Sequence, residues 1–104
     1  MTTEDKKYNG WKNYETWATA LWLDNDFDLY TELNTKAKEL YAEATKEYNI
    51  EDSIKETTYK LSLEIKSLIE NNTPTTNGLY ADLLNASISE IDWYEIAEHY
   101  TNDL

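Results

Sequence analysis

Apolar side chains recur at helical spacing through the middle of the chain, and this pattern predicts two long amphipathic helices. The first of the two is expected to open near Asp26. Its apolar face would consist of Leu29, Leu33, Ala37, Leu40, Tyr41, Ala44 and Tyr48. The second is expected over about residues 52–70. Its inward positions would be Ile54, Leu61, Ile65, Leu68 and Ile69.

A shorter helix is predicted before these two, over about residues 13–24. Asn13 can begin it, because an Asn side chain readily accepts a hydrogen bond from the backbone of the first helical turn. The expected apolar face consists of Tyr14, Trp17, Ala18 and Leu21. Trp22 falls beside the centre of that face, so it either meets a second element or stands partly exposed.

A polar stretch at residues 71–78, with Pro74 in its middle, is the clearest loop in the sequence. A short helix over about residues 79–85 is expected to follow it. This helix would bury Leu79, Leu83 and Leu84.

The last helix is predicted to start at Ser89 as its N-cap, with Asp92 as a weaker form of the capping-box acid. Ile88 would then pack against Trp93 as a hydrophobic staple. The inward face would consist of Trp93, Ile96, Ala97 and Tyr100.

Length and residue types agree with one helical domain. The chain has 104 residues, with two Gly, one Pro and no Val, which favours helix over sheet. We therefore predict an all-α fold in which residues 1–104 form a single-domain bundle of four or five helices, with an N-terminal arm at residues 1–12. The shared core is expected to contain Leu33, Leu40, Leu61, Ile65, Leu83 and Trp93.

Cysteine is absent, which excludes disulfides and thiolate metal sites. No apolar run approaches the roughly 18 residues that a membrane span requires. Residues 1–9 are too polar for a signal peptide. We expect a cytoplasmic protein with no membrane partner.

The net charge of −12 is unevenly distributed, because residues 71–104 contain six carboxylates and no lysine. These carboxylates are Asp82, Glu90, Asp92, Glu95, Glu98 and Asp103. Three of them, Asp92, Glu95 and Glu98, are expected to form an outward ladder on the last helix, with a rise of about 4.5 Å per step. A second acidic row is expected at Glu39, Glu43 and Glu47.

This acidity argues against direct nucleic-acid binding, as does the absence of arginine among the nine basic residues. Proteins that bind duplex DNA present a basic groove to a charge every ~1.7 Å of helix axis. A rigid carboxylate array can occupy such a groove, which makes a basic nucleic-acid-binding protein the expected partner. The alternative is that the negative surface only keeps the domain soluble and monomeric.

Aromatic residues provide a second candidate for partner binding. Tyr8, Trp11 and Trp22 are candidates for an exposed patch of the kind that anchors protein interfaces. Asn9 and Gly10 are expected to form a turn that lets Trp11 fold back on the bundle. Alternatively, the aromatics belong to the core and a wrapped N-terminal arm, as we expect for Trp17 and Trp93.

Catalytic and metal-binding chemistry lacks the necessary residues. His99 is the only imidazole, and we expect it to be solvated at the surface. With two glycines far apart there is no phosphate-binding loop. The acidic run at residues 24–28 lacks the Gly and closing Glu of an EF-hand. We predict no catalytic residue, cofactor site or metal site.

Both ends of the chain resemble a family of small, uncharacterised acidic proteins from phages and other mobile elements. The N-terminal likeness covers residues 13–17 (Asn-Tyr-Glu-Thr-Trp) and residues 20–25. The C-terminal likeness covers residues 81–86, 89–93 and 95–99. The resemblance implies a setting rather than an activity, since small acidic phage proteins are often inhibitors of restriction or CRISPR systems.

Two function hypotheses follow, with an enzyme as a distant third. The first is a phage-type inhibitor of a host defence nuclease or nucleic-acid-binding protein, acting through an acidic and DNA-like surface. The second is a structural or regulatory interaction module that uses exposed aromatics. Salt separates them, because an acidic complex weakens steeply with ionic strength.

Overall fold

A computed structural model describes residues 8–104 and contains five α-helices in that range. They are α1 (Tyr14–Asn25), α2 (Phe27–Ala44), α3 (Ile50–Asn71), α4 (Gly78–Ser89) and α5 (Trp93–Thr101). The predicted all-α fold is confirmed. The predicted N-terminal arm is seen from Tyr8 onward, and residues 1–7 lie outside the described residues. Within the described chain, no helix combines the length and the hydropathy needed to cross a membrane.

Four of the five helices begin at an Asn or Asp side chain that accepts a backbone hydrogen bond, as N-cap residues do. These cap residues are Asn13, Asp26, Asn49 and Asp92. The first of them confirms the predicted start of α1. The predicted start of α3 is two residues late, because Asn49 accepts from the Asp52 backbone at 2.8 Å.

The predicted start of the last helix is wrong. Ser89 is the final residue of α4, and its hydroxyl donates back to the Ala86 carbonyl at 2.7 Å. Asp92 is the N-cap of α5 and accepts from the Glu95 backbone at 3.0 Å. Ser and Asp are about equally good N-cap residues, so the residue types alone do not decide between them. Ser89 cannot serve as a cap because α4 continues through it. The predicted staple of Ile88 on Trp93 assumed that Ser89 is the N-cap, so it no longer applies.

The core is centred on α3, which packs against both α2 and α5. The buried apolar residues of this core are Ala20, Leu23, Leu33, Ala37, Leu61, Ile65, Ile96, Ala97 and Tyr100. Leu40 and Trp93 pack at its edge, partly buried. Three of the six predicted core residues are therefore fully buried and two lie at the edge.

Leu83 was expected in this core, and that prediction is wrong. Leu83 lies on α4 and is 57% exposed, and Leu79 on the same helix is 67% exposed. No residue of α4 is buried. Leu84 is only half-buried. The apolar spacing of α4 is real, but within the described chain the helix makes no extended contact with the other four helices.

The inward face of α3 carries small polar side chains beside Leu61 and Ile65. These are Ser53, Thr57, Thr58 and Ser62, all buried. The hydroxyls of Thr58 and Thr101 are 2.8 Å apart across the α3–α5 contact. Small side chains let helix axes approach closely, and α3 makes its most extensive contact with α5.

The predicted inward face of α1 is also wrong. Thr16, Ala20 and Leu23 are buried, whereas Tyr14 and Leu21 are exposed. Apolar residues surround α1 on nearly every side, so their spacing does not define one face. Tertiary packing selects the side with the smallest residues.

Candidate partner-binding surface

A hydrogen-bonded contact joins the end of α5 to the corner between α1 and α2. Asp24, in the last turn of α1, accepts a hydrogen bond from the Tyr100 hydroxyl at 2.8 Å. Its other carboxylate oxygen lies 2.8 Å from Nε2 of His99. The Tyr30 and Tyr100 ring centroids, 6.1 Å apart, add a contact with the start of α2. Three chain segments therefore meet at this point.

The Tyr100 hydroxyl is a fixed donor in this contact. Burial raises the pKa of Tyr100 far above its ordinary value, and the hydrogen bond to Asp24 and the negative charge of that carboxylate raise it further. Tyr100 consequently stays neutral, and it orients the Asp24 carboxylate.

His99 is exposed as predicted, but it is not a free surface side chain. Besides its contact with Asp24, the imidazole meets the ring of Trp11 edge-on, with centroids 5.5 Å apart. It meets the ring of Tyr100 in the same manner at 5.2 Å. His99 therefore helps to hold the N-terminal arm against α5.

The acidic ladder expected on the last helix is not formed. Asp92 precedes the helix as its N-cap and lies 4.0 Å from the Lys12 ammonium. Glu95 is 8% exposed, and its carboxylate accepts from the Lys12 backbone at 3.0 Å. Of the three residues, only Glu98 points freely to solvent. With Asp92 as cap, Glu95 occupies the third helical position. The Asp92 backbone N–H, from which a capping-box Glu would accept, donates instead to the Thr16 hydroxyl at 2.9 Å.

The remaining predicted carboxylates Asp82, Glu90 and Asp103 are exposed. The second acidic row, Glu39, Glu43 and Glu47, is exposed too, although α2 ends before Glu47. Glu43 pairs with Lys46 at 3.3 Å. That row lies in a region of mixed charge.

Lysines are absent from two parts of the chain, and not only from the C-terminal third. Residues 13–35 and 67–104 contain twelve carboxylates and no lysine. Residues 36–66, which form the second half of α2 and most of α3, contain six lysines and seven carboxylates. The lysine-free segments supply α1, the start of α2, α4 and α5.

We define the acidic corner as Asp24 together with the exposed carboxylates that lie within four residues, along the chain, of Asp24 or of its partners His99 and Tyr100. Its members are Asp24, Asp26, Asp28, Glu98 and Asp103. Sequence reasoning missed it because the residues come from two segments, 24–28 and 98–103, that lie far apart in the chain. The gap in lysines at residues 13–35 was the available signal.

The predicted turn at Asn9 and Gly10 is confirmed. Both residues have positive φ, at 46° and 89°, as a tight hairpin turn requires. Tyr8 and Trp11 exchange two backbone hydrogen bonds of 2.9 and 2.7 Å. The turn folds Trp11 back onto the core, where it is half-buried.

The three aromatic candidates do not form one patch. The Tyr8 ring packs against Tyr14 and Trp17, with centroids 5.2 and 5.0 Å away. Trp22 is 78% exposed and makes no ring contact within the described chain. Trp17 and Trp93, expected in the core, are both half-buried.

The acidic run at residues 24–28 has structural roles. Asp24 holds Tyr100, and Asp26 caps α2 by accepting from the Leu29 backbone at 3.1 Å. Residues 8–104 contain no group of three or more His, Asp or Glu side chains placed to hold a metal ion.

The fold and these surfaces define a small acidic all-helical domain with a charge-segregated surface. The chain belongs to DUF7249, a family of unknown function, which matches residues 4–103. Comparison with curated proteins and with solved structures gives no match.

Proposed function

We propose that this protein is an inhibitor that binds a basic, nucleic-acid-binding protein of a host defence system, of the restriction or CRISPR type. The observation that carries the proposal is the pair of lysine-free segments, residues 13–35 and 67–104, which contain twelve carboxylates. Of these, Glu95 is buried and Asp92 lies beside Lys12, and the others are available to a partner. A groove that binds DNA attracts such a surface, and occupation of the groove excludes the nucleic acid.

Two carboxylates of the acidic corner are held by hydrogen bonds, which supports this mode of action. Asp24 is fixed by Tyr100, and Asp26 is fixed as the cap of α2. Fixed carboxylates lose little conformational freedom when a partner binds, so more of the Coulomb attraction remains as affinity. Carboxylates on flexible segments lack this advantage.

The setting comes from the resemblance of both chain ends to small acidic phage proteins. The proposal places the protein in the cytoplasm of the infected or carrier host cell. It acts by protein binding without catalysis and without a cofactor. Its own net charge of −12 repels nucleic acid.

The test uses purified restriction endonucleases and purified CRISPR effectors in DNA-cleavage assays with this protein added. We expect inhibition of at least one of them. The variant Asp28→Lys/Glu98→Lys/Asp103→Lys should lose it, since all three side chains are exposed and none makes a side-chain hydrogen bond in the described chain. The matched control is Glu39→Lys/Glu43→Lys/Glu47→Lys, with an equal charge change, and it should still inhibit.

Association kinetics add a second readout. The association rate of the wild-type complex should fall steeply between low and high salt. Equal loss from both triple variants would mean that net charge alone matters. Absence of inhibition across both classes of defence protein would contradict the proposal.

A second candidate function, a non-enzymatic interaction module, is favoured by the corner between α1 and α2. Trp22 and Phe27 are each 78% exposed there. Trp22 also lines a groove of about 480 Å³ together with Leu23, Leu29 and Ile69. Partner binding that is insensitive to salt and abolished by Trp22→Ser/Phe27→Ser would favour this module.

A further inference from the structure

Helix α4 lacks the support that a helix of its length needs. It spans twelve residues, buries no side chain and makes no extended contact with the rest of the described chain. Its N-cap residue Asn77 makes no capping hydrogen bond through its side chain. Isolated helices shorter than roughly 12–15 residues are marginal in water. A surface that covers α4 would therefore stabilise it.

The overall dimensions agree with a helix that stands off the bundle. The radius of gyration is 14.8 Å, against about 13 Å for a compact domain of this length. The longest principal extent is 47 Å, twice the shortest at 23 Å.

Apolar residues occupy two opposite sides of α4. Ala81, Leu84 and Ile88 are half-buried and share one side. The other side is exposed, and we call it the α4 stripe. It consists of Leu79, Tyr80, Leu83 and Ala86.

The geometry of the α4 stripe suits a helical partner. Leu79 and Leu83 are four residues apart, and Ala86 follows three residues later, which is the alternation of a helix-packing seam. Leu79 is 67% exposed, Tyr80 73% and Leu83 57%. Exposed apolar stripes with a polar rim mark protein interaction sites.

Charge around the α4 stripe distinguishes between possible occupants. Asp82 is the only charged residue of α4, and it lies at the edge of the stripe. The chain around it, residues 67–104, has seven carboxylates and no lysine. A second copy would bring the same negative charge to the same place and be repelled. A partner with lysine or arginine beside an apolar seam would be attracted.

We infer that the α4 stripe docks an amphipathic helix of the partner protein, with an aliphatic seam flanked by lysine or arginine. The inference rests on the proposed function and supplies its apolar contact. The acidic surface accelerates the encounter, and the α4 stripe slows dissociation.

The experiment uses a synthetic amphipathic peptide with leucines on one face and lysines on both flanks, labelled for fluorescence anisotropy. Its counterpart carries glutamates in place of the lysines. We expect the lysine peptide to bind the full chain, and the glutamate peptide to bind at least ~10-fold more weakly. Amide hydrogen exchange in α4 should slow when the lysine peptide is bound.

Paired variants locate the contact. Leu79→Gln/Leu83→Gln keeps helix propensity and should weaken the lysine peptide at least ~10-fold. Tyr59→Gln/Leu63→Gln is the matched control, because those residues are also exposed and four apart, on α3. It should leave the affinity unchanged, and circular dichroism should report the same fold for both variants.

Two results would overturn the inference. One is equal peptide affinity for the wild type and the α4 variant. The other is a wild-type dimer in sedimentation equilibrium that the α4 variant converts to monomer, which would make a second copy the occupant. Failure of the inference is distinct from failure of the proposed function. Either of these two results, obtained with a protein that inhibits nuclease cleavage, contradicts only the inference, whereas binding of the lysine peptide without any inhibition of cleavage contradicts only the proposed function.

Discussion

The Tyr100 hydroxyl donates to the Asp24 carboxylate across 2.8 Å, joining residues 76 positions apart in the chain. Tyr100 belongs to α5, a helix of nine residues that is too short to be stable alone. This bond, together with the buried contact of Thr58 with Thr101, fixes α5 on the bundle. The position of Glu98 in the acidic corner depends on it.

Alkaline pH should expose the role of this bond. Burial, then the Asp24 hydrogen bond, raises the pKa of Tyr100 above its ordinary value of 10.0. The folded state therefore retains a proton that the unfolded state releases. The stabilising contribution is present in full below pH 10 and decreases as pH rises above it. Urea denaturation at neutral pH and above pH 10 should show a steeper loss for the wild type than for Tyr100→Phe, and equal losses would contradict this assignment.

Thr57 offers a stabilising substitution. Its hydroxyl is fully buried in α3 and has no hydrogen-bond partner within the described residues. A buried hydroxyl without a partner costs about 1–3 kcal/mol, and valine keeps nearly the same shape. Thr57→Val should raise the unfolding free energy by about 1 kcal/mol and Tm by roughly 4 °C. Thr58→Val is the control and should destabilise, because Thr58 bonds to both Ile54 and Thr101.

The start of α5 can be tested by removing each candidate cap. Asp92→Ala should lower the unfolding free energy by about 0.5–2 kcal/mol, the usual cost of losing an N-cap. Ser89→Ala should change it by less than about 0.5 kcal/mol, as expected for an exposed position. Thermal unfolding of both variants provides the measurement. A larger loss of unfolding free energy from Ser89→Ala than from Asp92→Ala would mean that α5 begins at Ser89.

Glu95 and Glu98 should respond differently to the same change. Glu95→Lys buries a cation beside Lys12 and removes the acceptor of the Lys12 backbone, so we expect a loss of more than about 2 kcal/mol. Glu98→Lys changes an exposed side chain and should stay within about 0.5 kcal/mol of the wild type. Chemical denaturation of the two variants compares them directly. Similar small effects would mean that Glu95 is accessible.

An aliphatic side chain in the core should contribute more to the free energy of unfolding than one on α4. Ile65 is fully buried, and Ile65→Ala should cost about 2–5 kcal/mol. Leu83→Ala should cost less than about 0.5 kcal/mol, since the residue is mostly exposed. Thermal melts of both variants test the contrast. Equal costs would place Leu83 in the core.

Sequence periodicity predicted the long helices well because their faces are one-sided. Leu33, Ala37, Leu61 and Ile65 recur at helical spacing against a polar background, and all are buried. Periodicity failed for α1, where apolar residues lie on every side. It also failed for α4, because apolar spacing does not show whether a helix face packs inside its own chain.

The candidate surface was only partly predictable. Exposure of Asp82, Glu90, Glu98, Asp103 and Trp22 agrees with the predicted partner-binding set. Glu95 was wrongly predicted to point outward because helical spacing does not reveal that the N-terminal arm covers it, with the Lys12 backbone donating to its carboxylate. The acidic corner required tertiary structure, since residues 24–28 and 98–103 are joined only through the contacts of Asp24 with His99 and Tyr100.

Because α4 is isolated, its sequence is not constrained by the packing of the other four helices. Its ends are tied to α3 and α5, whereas its side chains contribute nothing to the buried core. Substitutions along its outer side therefore change what the molecule contacts without changing whether it folds. Under the proposed function, this one segment can vary with the target while the other four helices stay the same.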